Sequence, residues 1–481
     1  MILPQRVCAR CQERKRDIDR LQAELGKRDC ECQRLQNRAA KLEDENFRLR
    51  QQVEQLQRDA HRQTARFRRR QLKKRKKRPG RRQGHPPANR PTPPPHHIDR
   101  VIDVPCRHCP DCKMPLVDPN IVVQYQTDLP PIVPIVTQFN IETGYCPCCR
   151  QRQQGRHPQQ ISNASGAAGN TIGPVALTMA AELKHRLGVP YRKICDFFTT
   201  YCDLTICPAT LVRAEQRLTE LARPTYELLI DALRRADVVH VDETGWRIRA
   251  LNAWLWVFSN SQVTVYAIRT GKGARGHGVP EEILGADFDG YLVVDGFAAY
   301  TVLNYKKSQC NSHLLRRSKE LQETIANRER DYLDQLITTI QDAIDLAGRR
   351  EQLTAAAFAR RVQQIEQRVV AWVLAKPPHC SDDLRRLFNH FTDHITEWLV
   401  FLHEPQVPPT NNHAESMLRP AVITRKVGGC NKTLLGGLVH SVLASIMVTC
   451  KQQGKKFVEL AKQLWRSGEA KPMPLAPPPD G

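Results

Sequence analysis

Acidic residues follow two short apolar runs in the middle of the chain. Val238–Val241 is followed by Asp242 and Glu243, and Tyr291–Val294 is followed by Asp295. Short apolar runs of this kind are typical of buried strands, so each run predicts an aspartate at the edge of a buried sheet. Because side chains alternate along a strand, Asp242 and Glu243 are expected to face opposite sides, and only one of them can join a given site.

A third acidic residue lies in a predicted helix near the C-terminal end. The segment 409–420 predicts a helix with Thr410 or Asn411 as its cap. Asn411, Glu415 and Arg419 recur every four residues and therefore share one face of that helix. Two strand-end aspartates and one helix glutamate can together hold two magnesium (or manganese) ions for phosphodiester hydrolysis. Each aspartate alone is a weak indication, because many such residues are caps or members of ion pairs.

Two cysteine pairs have the spacing of zinc ligands. Cys109 and Cys112 form one C-x-x-C pair, and Cys146 and Cys149 form the other. The N-terminus does not resemble a secretory signal, and without export this spacing is more typical of zinc than of disulfides. Four thiolates leave no open coordination position, so the predicted zinc is structural. A strand pair is expected to fill the gap over 121–145, and a set of free buried thiols is the alternative.

Leucines recur with a heptad period near the N-terminus. The d positions are Leu21, Leu35, Leu42, Leu49 and Leu56, with Arg28 as the only break. The a positions are Ile18, Leu25, Cys32, Ala39, Asn46 and Val53. This pattern predicts a coiled coil, in which a buried Asn46 favours a parallel dimer and fixes the register. The alternative is one long amphipathic helix packed against the body of the protein.

The charge of the chain predicts a polyanionic partner. The formal net charge of the 481 residues is +23, and basic residues concentrate in Arg66–Arg82. Such a run contacts phosphates or remains a solvated tail. We find no apolar run of the ~18 residues needed to cross a bilayer, so we expect DNA rather than a membrane as partner and a cytoplasmic location. The proline-rich stretch His85–His97 predicts an extended spacer.

The remaining sequence predicts a helical region followed by an α/β region. Val189–Phe198 and Pro208–Arg213 suggest two short helices, which fit a helix-turn-helix or simply a helical linker. Four strands are then expected in quick succession, over Val238–Val241, Ala253–Phe258, Val263–Ile268 and Tyr291–Val294. A long helical stretch is expected from Arg316 to Phe401.

These segments resemble the transposases of the insertion sequence 66 family of bacterial mobile elements. The matching blocks are Asp242–Trp246 with Trp254–Val257, Val294–Gly296 with Ala299–Tyr300, Cys310–His313, and most of Pro409–Lys426. The resemblance extends to the zipper, the linker and the cysteine pairs, and so covers nearly the whole chain. Ser312, His413 and Ser416 depart from the family's usual residues, and none of the three is an expected metal ligand.

The resemblance implies an RNase H-like core interrupted by a helical insertion between the second aspartate and the glutamate. Asp242, Asp295 and Glu415 would hold magnesium or manganese. His313 would lie near the scissile phosphate, with an ordinary core histidine as the alternative. Arg419 would contact phosphate or steady Glu415. The implied reaction is metal-dependent cleavage at the element's ends, followed by transfer of the 3′ hydroxyls into target DNA, as in DDE-type transposases.

The expected organisation has six parts. They are a coiled coil (14–65), a basic and proline-rich linker (66–97), a zinc-binding domain (98–156), a helical DNA-binding region (173–236), an RNase H-like catalytic domain (237–450, with a helical insertion at about 316–405) and a C-terminal helix with a disordered tail (451–481). The expected partners are DNA of the element ends and target, and further copies of this chain through the coiled coil. Family members also act with accessory proteins of the same element.

Two other functions explain part of this pattern. A catalytically retired, dimeric, zinc-containing DNA-binding regulator accounts for the zipper, the basic run and the cysteines, but not for three acidic blocks in the family's order. A metal-dependent nuclease that cuts without strand transfer would use the same carboxylates, so the sequence alone does not distinguish it from a transposase.

Overall fold

The computed structural model describes residues 90–118, 120–325 and 327–475, together with scattered positions between Glu13 and Glu45. These residues fall into two compact units that divide between Gln126 and Thr127, and each unit is described by itself. The basic run Arg66–Arg82, the part of the expected tail from residue 476 onward, and several zipper positions lie outside the described residues. Those zipper positions are Ala39, Asn46, Leu49, Val53 and Leu56. In the described part of the expected tail, Met473 and Leu475 are buried, contrary to the disorder expected there.

In the first unit, every described residue between Glu13 and Glu45 is helical. The described seam residues are at least half exposed, with exposed fractions from 51% to 65% for Ile18, Leu21, Leu25, Leu35 and Leu42.

The strand pair predicted between the two cysteine pairs is wrong, since residues 120–142 have no regular secondary structure. Pro130, Pro131 and Pro134 interrupt this β-branched stretch and remove the N–H groups that a strand ladder needs.

The second unit opens with a hairpin and three helices. Strands β1 (Thr143–Cys146) and β2 (Gln151–Gln154) pair antiparallel. Helices α1 (Pro174–His185), α2 (Tyr191–Cys202) and α3 (Pro208–Arg234) follow. Pro174 and Pro208 occupy the first helical turns, where the missing N–H costs nothing.

The prediction of a second short helix after Val189–Phe198 is wrong. Helix α3 continues for 27 residues, and its buried residues include Leu211, Leu218, Leu229 and Leu233. Apolar residues at helical spacing extend the buried face well past Arg213, so α3 is one long core helix rather than a short one.

A five-stranded mixed sheet forms the centre of the second unit. Its strands are β3 (Val238–Ile248), β4 (Leu251–Ser259), β5 (Thr264–Thr270), β6 (Tyr291–Val294) and β7 (Lys306–Gln309), in the order β5-β4-β3-β6-β7. The pairs β3–β4 and β4–β5 are antiparallel, whereas β3–β6 and β6–β7 are parallel. The expected α/β class is confirmed.

Two features of the sheet differ from the prediction. Strand β3 does not end at Asp242 but continues to Ile248, because residues 240–248 keep pairing with β4 after the pairing with β6 has stopped. Strand β7 was not predicted, since its sequence Lys306–Gln309 is polar and lacks an apolar run. Its backbone pairs with β6, and its Ser308 and Gln309 are nevertheless buried.

Small elements and a helical stretch separate β5 from the last part of the chain. Helices α4 (Gly278–Leu284) and α5 (Ala298–Thr301) flank β6. Five helices then follow β7, namely α6 (Asn311–Gln322), α7 (Asn327–Ala347), α8 (Ala355–Leu374), α9 (Asp382–Asp393) and α10 (Val400–His403). They build their own apolar clusters, around Trp372 and around Phe358.

Three helices complete the unit: α11 (Asn412–Gly428), α12 (Leu434–Gln452) and α13 (Phe457–Ser467). Ala414, Leu418 and Ala421 of α11 pack against residues of β3, β4 and β5, on the sheet face that includes Trp246 and Leu255.

Helix α12 covers the edge strand β5. Its hydroxyls accept the free N–H groups of that strand, with 2.8 Å from Tyr266 N to Ser445 Oγ and 3.0 Å from Thr264 N to Thr449 Oγ1. By length and composition α12 is apolar enough to cross a membrane, contrary to our expectation that no segment would be, but most of it is buried in the protein. Covering an otherwise unpaired edge explains why an apolar helix has these hydroxyls at four-residue spacing.

Candidate functional site

The sheet places the two predicted aspartates side by side. Strands β3 and β6 are parallel, with His240 level with Val293. Continuing this register by two residues places Asp242 level with Asp295. Each carboxylate accepts a nearby backbone N–H, from Glu243 N to Asp242 Oδ1 at 2.8 Å and from Phe297 N to Asp295 Oδ1 at 3.1 Å.

Asn411 attaches the helix of the third acidic residue to the sheet. Its amide nitrogen donates to the carbonyl of Val241 at 2.7 Å, and its Oδ1 lies 3.0 Å from His240 Nδ1. Asn411 is the residue before α11, as expected, but its side chain makes no capping hydrogen bond. It binds β3 next to Asp242 instead, and this contact sets where Glu415 lies relative to the strand.

Asn411 also contacts the segment that holds His313. The backbone N–H of Asn411 donates to Cys310 Sγ at 3.1 Å, and Cys310 precedes α6, the helix of His313. His313 Nδ1 lies 3.7 Å from Glu415 Oε1. Burial raises the pKa of the Cys310 thiol, so Cys310 packs here as a neutral group.

Most of the predicted catalytic residues line one cavity of about 520 Å³. Its lining consists of Asp242, His313, Arg316, Glu415, Leu418, Arg419, Val422 and Ile423. Carboxylates therefore face the same space as two arginines, which are suited to binding phosphate oxygens. Asp295 is not part of this lining, but its charge acts on Asp242.

The carboxylates concentrate negative charge around Asp242. Burial, followed by the charges of Asp295 and Glu243, raises the pKa of Asp242 from its ordinary 3.8 to about 7, and Glu415 contributes in the same direction. A bound divalent cation would offset this repulsion, and carboxylate oxygens are the ligands that magnesium prefers. Within the part of the chain that the structure describes, however, no three His, Cys, Asp or Glu side chains are arranged to hold a metal ion.

Glu243 faces away from Asp242, as strand alternation predicts, and it has partners of its own. Tyr300 donates its hydroxyl to Glu243 Oε2 at 2.7 Å, and Arg275 donates Nε to Glu243 Oε1 at 2.9 Å. Burial raises the pKa of the Glu243 carboxyl, with Asp295 adding to the rise. Sequence reasoning did not identify Arg275, since no motif marks it.

His390 of the helical region reaches the second aspartate's loop. Gly296 has a φ of +84°, and a Cβ built on it would lie 2.8 Å from His390 Nε2. The glycine after Asp295 is thus required both by its backbone conformation and by the approach of α9. Sequence gives no signal for this contact, because His390 lies far from the acidic blocks along the chain.

Each cysteine pair forms a tight turn within its own unit. Cys109 N donates to the carbonyl of Met114 at 2.9 Å, and Cys149 N approaches Cys146 Sγ at 3.4 Å. Hydrogen bonds from following residues lower the pKa of Cys109 and of Cys146, which favours the thiolate form. These turns fit zinc knuckles taken one pair at a time.

Comparison with known proteins identifies the family. A family model described as "Transposase IS66 family" matches residues 169–438, which is more than half of the 481-residue chain. The chain belongs to the IS66 transposase family. The expected recognition is confirmed, and the matched range contains Asp242, Asp295, His313 and Glu415.

This IS66 family member is also similar to a curated protein described only as an uncharacterized protein. That relative, y4jD of Sinorhizobium fredii (strain NBRC 101917 / NGR234), is 23% identical over 399 residues, which cover 75% of each chain. The cysteine pairs and the zipper of this IS66 member lie before the range matched by the family model.

Proposed function

We propose that this IS66 family member is an active DNA transposase, which cleaves the ends of an insertion sequence and transfers the 3′ ends into target DNA. The observation that carries the proposal is the cavity in which Asp242 and Glu415 face Arg316 and Arg419. Asp295 directly follows the neighbouring strand β6, where the β3–β6 register extended by two residues brings it level with Asp242. The mixed sheet, with α11 packed against it, supports an RNase H-like core.

Asp242, Asp295 and Glu415 are the residues that would hold two magnesium or manganese ions. Such ions make the attacking oxygen more acidic and neutralise the leaving oxygen. Because the carboxylates repel one another without a cation, ion binding would draw them closer than they stand now. This adjustment reconciles the proposal with the absence of a preformed ligand set in the described residues.

The other cavity residues bind and orient the DNA. Arg316 and Arg419 line the cavity and would contact phosphate oxygens, and Arg419 lies one helical turn beyond Glu415. His313 Nδ1 is buried without a hydrogen-bond partner and lies 3.7 Å from Glu415. A phosphate oxygen or a water on the scissile group would satisfy that ring, which favours the catalytic interpretation of His313 over an ordinary core histidine.

The remaining predictions extend this proposal beyond the cavity. A structural zinc on Cys109, Cys112, Cys146 and Cys149 would stabilise the region before the catalytic core. The described leucines of the heptad seam are exposed. A second copy of the chain would bury them, either in a dimer or in a higher oligomer. DNA and the element's own accessory proteins would be its partners in the cytoplasm, on the nucleoid.

The test measures binding, cleavage and strand transfer separately with the element's terminal DNA. Asp242→Asn, Asp295→Asn and Glu415→Gln should each reduce cleavage and strand transfer at least 1,000-fold while leaving end binding within about twofold. Asp289→Asn is the control, because Asp289 is an exposed acid two residues before β6 that pairs with Lys306. Full activity in any of the three variants removes that residue from the site.

The same assay decides between the alternatives. If the protein cuts intact ends but does not join pre-cleaved ends to target DNA, it is a nuclease. If the protein binds the ends without metal but catalyses neither cleavage nor strand transfer, it is a retired DNA-binding regulator. This result would overturn the proposal.

A further inference from the structure

We propose that Arg275 is a positioning residue, which fixes the two metal-binding aspartates relative to each other from the opposite face of the sheet. The inference rests on the proposed function, since it assigns a role toward the same metal site. Arg275 lies in the loop between β5 and α4 and is not part of the cavity lining.

The first contact of Arg275 is with the strand that holds Asp242. Two guanidinium nitrogens bind the same oxygen of Glu243, Nε at 2.9 Å and a terminal nitrogen at 2.8 Å. The Glu243 side chain is almost fully buried, and its other oxygen accepts the Tyr300 hydroxyl. Because a buried carboxylate without its partners is costly, this pair holds the guanidinium firmly against β3.

The second contact is with the loop that holds Asp295. The Arg275 guanidinium carbon lies 3.8 Å from the centre of the Phe297 ring and 4.2 Å from that of Trp254. The planar cation is therefore in contact with both rings and with the buried carboxylate at once. A cation over an aromatic ring contributes about 0.5–2 kcal/mol, so the side chain of Phe297 is held as well.

These two contacts lead directly to the aspartates. Glu243 donates its N–H to the Asp242 carboxylate, and Phe297 donates its N–H to the Asp295 carboxylate. The residues held by the Arg275 side chain are thus the same two residues whose backbones orient the metal ligands. Arg275 joins β3 to the loop after β6 and thereby sets the separation of the two carboxylates.

The loop of Arg275 is itself anchored. Trp256 donates its indole N–H to the carbonyl of Ala274 at 2.8 Å, and Ala274 is buried. Gly271 and Gly273 have φ values of +89°, which turn the chain sharply between β5 and this anchor. The guanidinium therefore approaches Glu243 from a fixed backbone position.

An arginine suits this position better than a lysine. Its planar group can bind the carboxylate through two nitrogens while its face rests on an aromatic ring, whereas an ammonium does not match both geometries. The Arg275 side chain remains 42% exposed, so a direct contact with a DNA phosphate is the alternative role.

The experiment measures Mn²⁺ binding to the full chain without DNA, by calorimetry or by electron paramagnetic resonance. Arg275→Ala should weaken Mn²⁺ binding about 10- to 100-fold, the range typical when a residue supporting a metal ligand is replaced. Arg275→Lys should lie between Arg275→Ala and wild type, and Glu243→Gln should weaken binding in the same direction. Cleavage assays should show a higher metal concentration at half-maximal rate, with much of the rate recovered at saturating metal.

The matched control is Arg269→Ala. Arg269 also binds a carboxylate through its guanidinium, but its partner Glu282 is exposed, and the pair lies at the end of β5, on the strand preceding the loop of Arg275. Its replacement should leave Mn²⁺ affinity within about twofold. If Arg275→Ala melts below the assay temperature, Arg275→Lys provides the test.

Three outcomes overturn the inference in distinguishable ways. Unchanged Mn²⁺ affinity in Arg275→Lys and Arg275→Ala, while Asp242→Asn loses binding, refutes the role of Arg275 and leaves the proposed function intact. Weaker DNA binding with unchanged Mn²⁺ affinity assigns Arg275 to DNA contact. If Asp242→Asn binds Mn²⁺ with the same affinity as wild type, the metal site itself is refuted. The proposed function then fails together with the inference.

Discussion

Two neighbouring carboxylates on β3 have different surroundings because successive side chains on a strand face opposite sides. Asp242 faces the cavity with Glu415, whereas Glu243 is buried against Arg275 and Tyr300. The cost of holding Asp242 charged is visible in its pKa of about 7, which burial raises first and the neighbouring acids raise further. A metal-free site therefore disfavours the charged carboxylate.

This pKa predicts how stability depends on pH. Unfolded Asp242 releases its proton near its ordinary pKa of 3.8, but folded Asp242 keeps it until about pH 7. Stability should therefore fall between about pH 4 and pH 7, by on the order of 2–4 kcal/mol, and then level off. Asp242→Asn should remove the part of the fall that Asp242 causes, so in chelator the variant should be more stable than wild type at pH 8 and similar at pH 4.

Urea unfolding at both pH values, with and without excess Mg²⁺, measures this effect. Mg²⁺ should stabilise wild type at pH 8 and have little effect on Asp242→Asn, because a ligand stabilises only the state that binds it. Equal stabilities of the two proteins at pH 8 in chelator would contradict the prediction.

At the residue scale, sequence motifs predicted side chains that line one cavity, and they missed residues whose contacts join distant segments. Asp242, His313, Glu415 and Arg419 were all predicted, and the structure places them around one cavity. His390 and Arg275 were not predicted, because their partners are set by how the α9 helix and the loop after β5 pack in three dimensions. A single sequence contains no spacing rule for such contacts.

At the element scale, the position of α11 depends on the buried Asn411. Its side chain binds both the carbonyl of Val241 and the ring of His240, while its backbone N–H binds Cys310. Burial lowers the pKa of His240 to about 4, so the ring is neutral at pH 7 and this is a bond between uncharged groups. Through its side chain and its backbone, Asn411 thus connects β3, the start of α6 and the start of α11, the three elements that hold Asp242, His313 and Glu415.

Replacing the side-chain amide of Asn411 should lower the stability of the protein substantially. Asn411→Ala leaves the buried partners on His240 and Val241 unsatisfied, at about 1–3 kcal/mol each. We expect a loss of about 2–6 kcal/mol in the free energy of unfolding, together with weaker Mg²⁺-dependent cleavage in whatever protein remains folded. Asn412→Ala is the matched control, since the next residue is exposed and should change stability by less than about 0.5 kcal/mol. Similar stability losses in the two variants would show that the buried amide does not anchor α11.

Element boundaries show where local patterns stop being informative. The apolar runs located four of the five strands of the central sheet, and the expected α/β class followed from them. They missed β7, which is polar throughout, although it pairs with β6 and buries Ser308 and Gln309. They also predicted a strand pair over 121–145, but residues up to 142 have no regular secondary structure, because prolines interrupt the β-branched residues there.

The cysteine pairs lead to a prediction about metal content. If four thiolates close one structural site, protein purified without chelators should contain about one zinc per chain by metal analysis. Cys109→Ser and Cys146→Ser should each lose this zinc, whereas Cys207→Ser, an exposed cysteine at the start of α3, should keep it. Zinc-free wild-type protein would refute the site.

At the scale of the whole molecule, charge and assembly belong together. The net charge of +23 is far more than the cavity arginines require, and the basic run Arg66–Arg82 follows directly on the heptad segment. A dimer formed through Ile18–Leu56 would place two basic runs side by side. Phosphate contacts would then give affinity without sequence information, and discrimination of the element's ends would come from another region.

This arrangement predicts how DNA binding depends on salt. Each phosphate neutralised contributes about 0.9 to the slope of log affinity against log salt. Deleting Arg66–Arg82, or replacing its basic residues with glutamine to keep the length, should flatten the slope and weaken binding to all sequences alike. Preference for the element's ends should survive, because we expect it to reside in the helical region 173–236. The isolated segment Ile18–Leu56 should sediment as a dimer, and Asn46→Val should make it more stable but less uniform in register or oligomeric state. A monomeric segment, or a salt slope that neither change alters, would show that the N-terminal region neither joins two chains nor brings them to DNA.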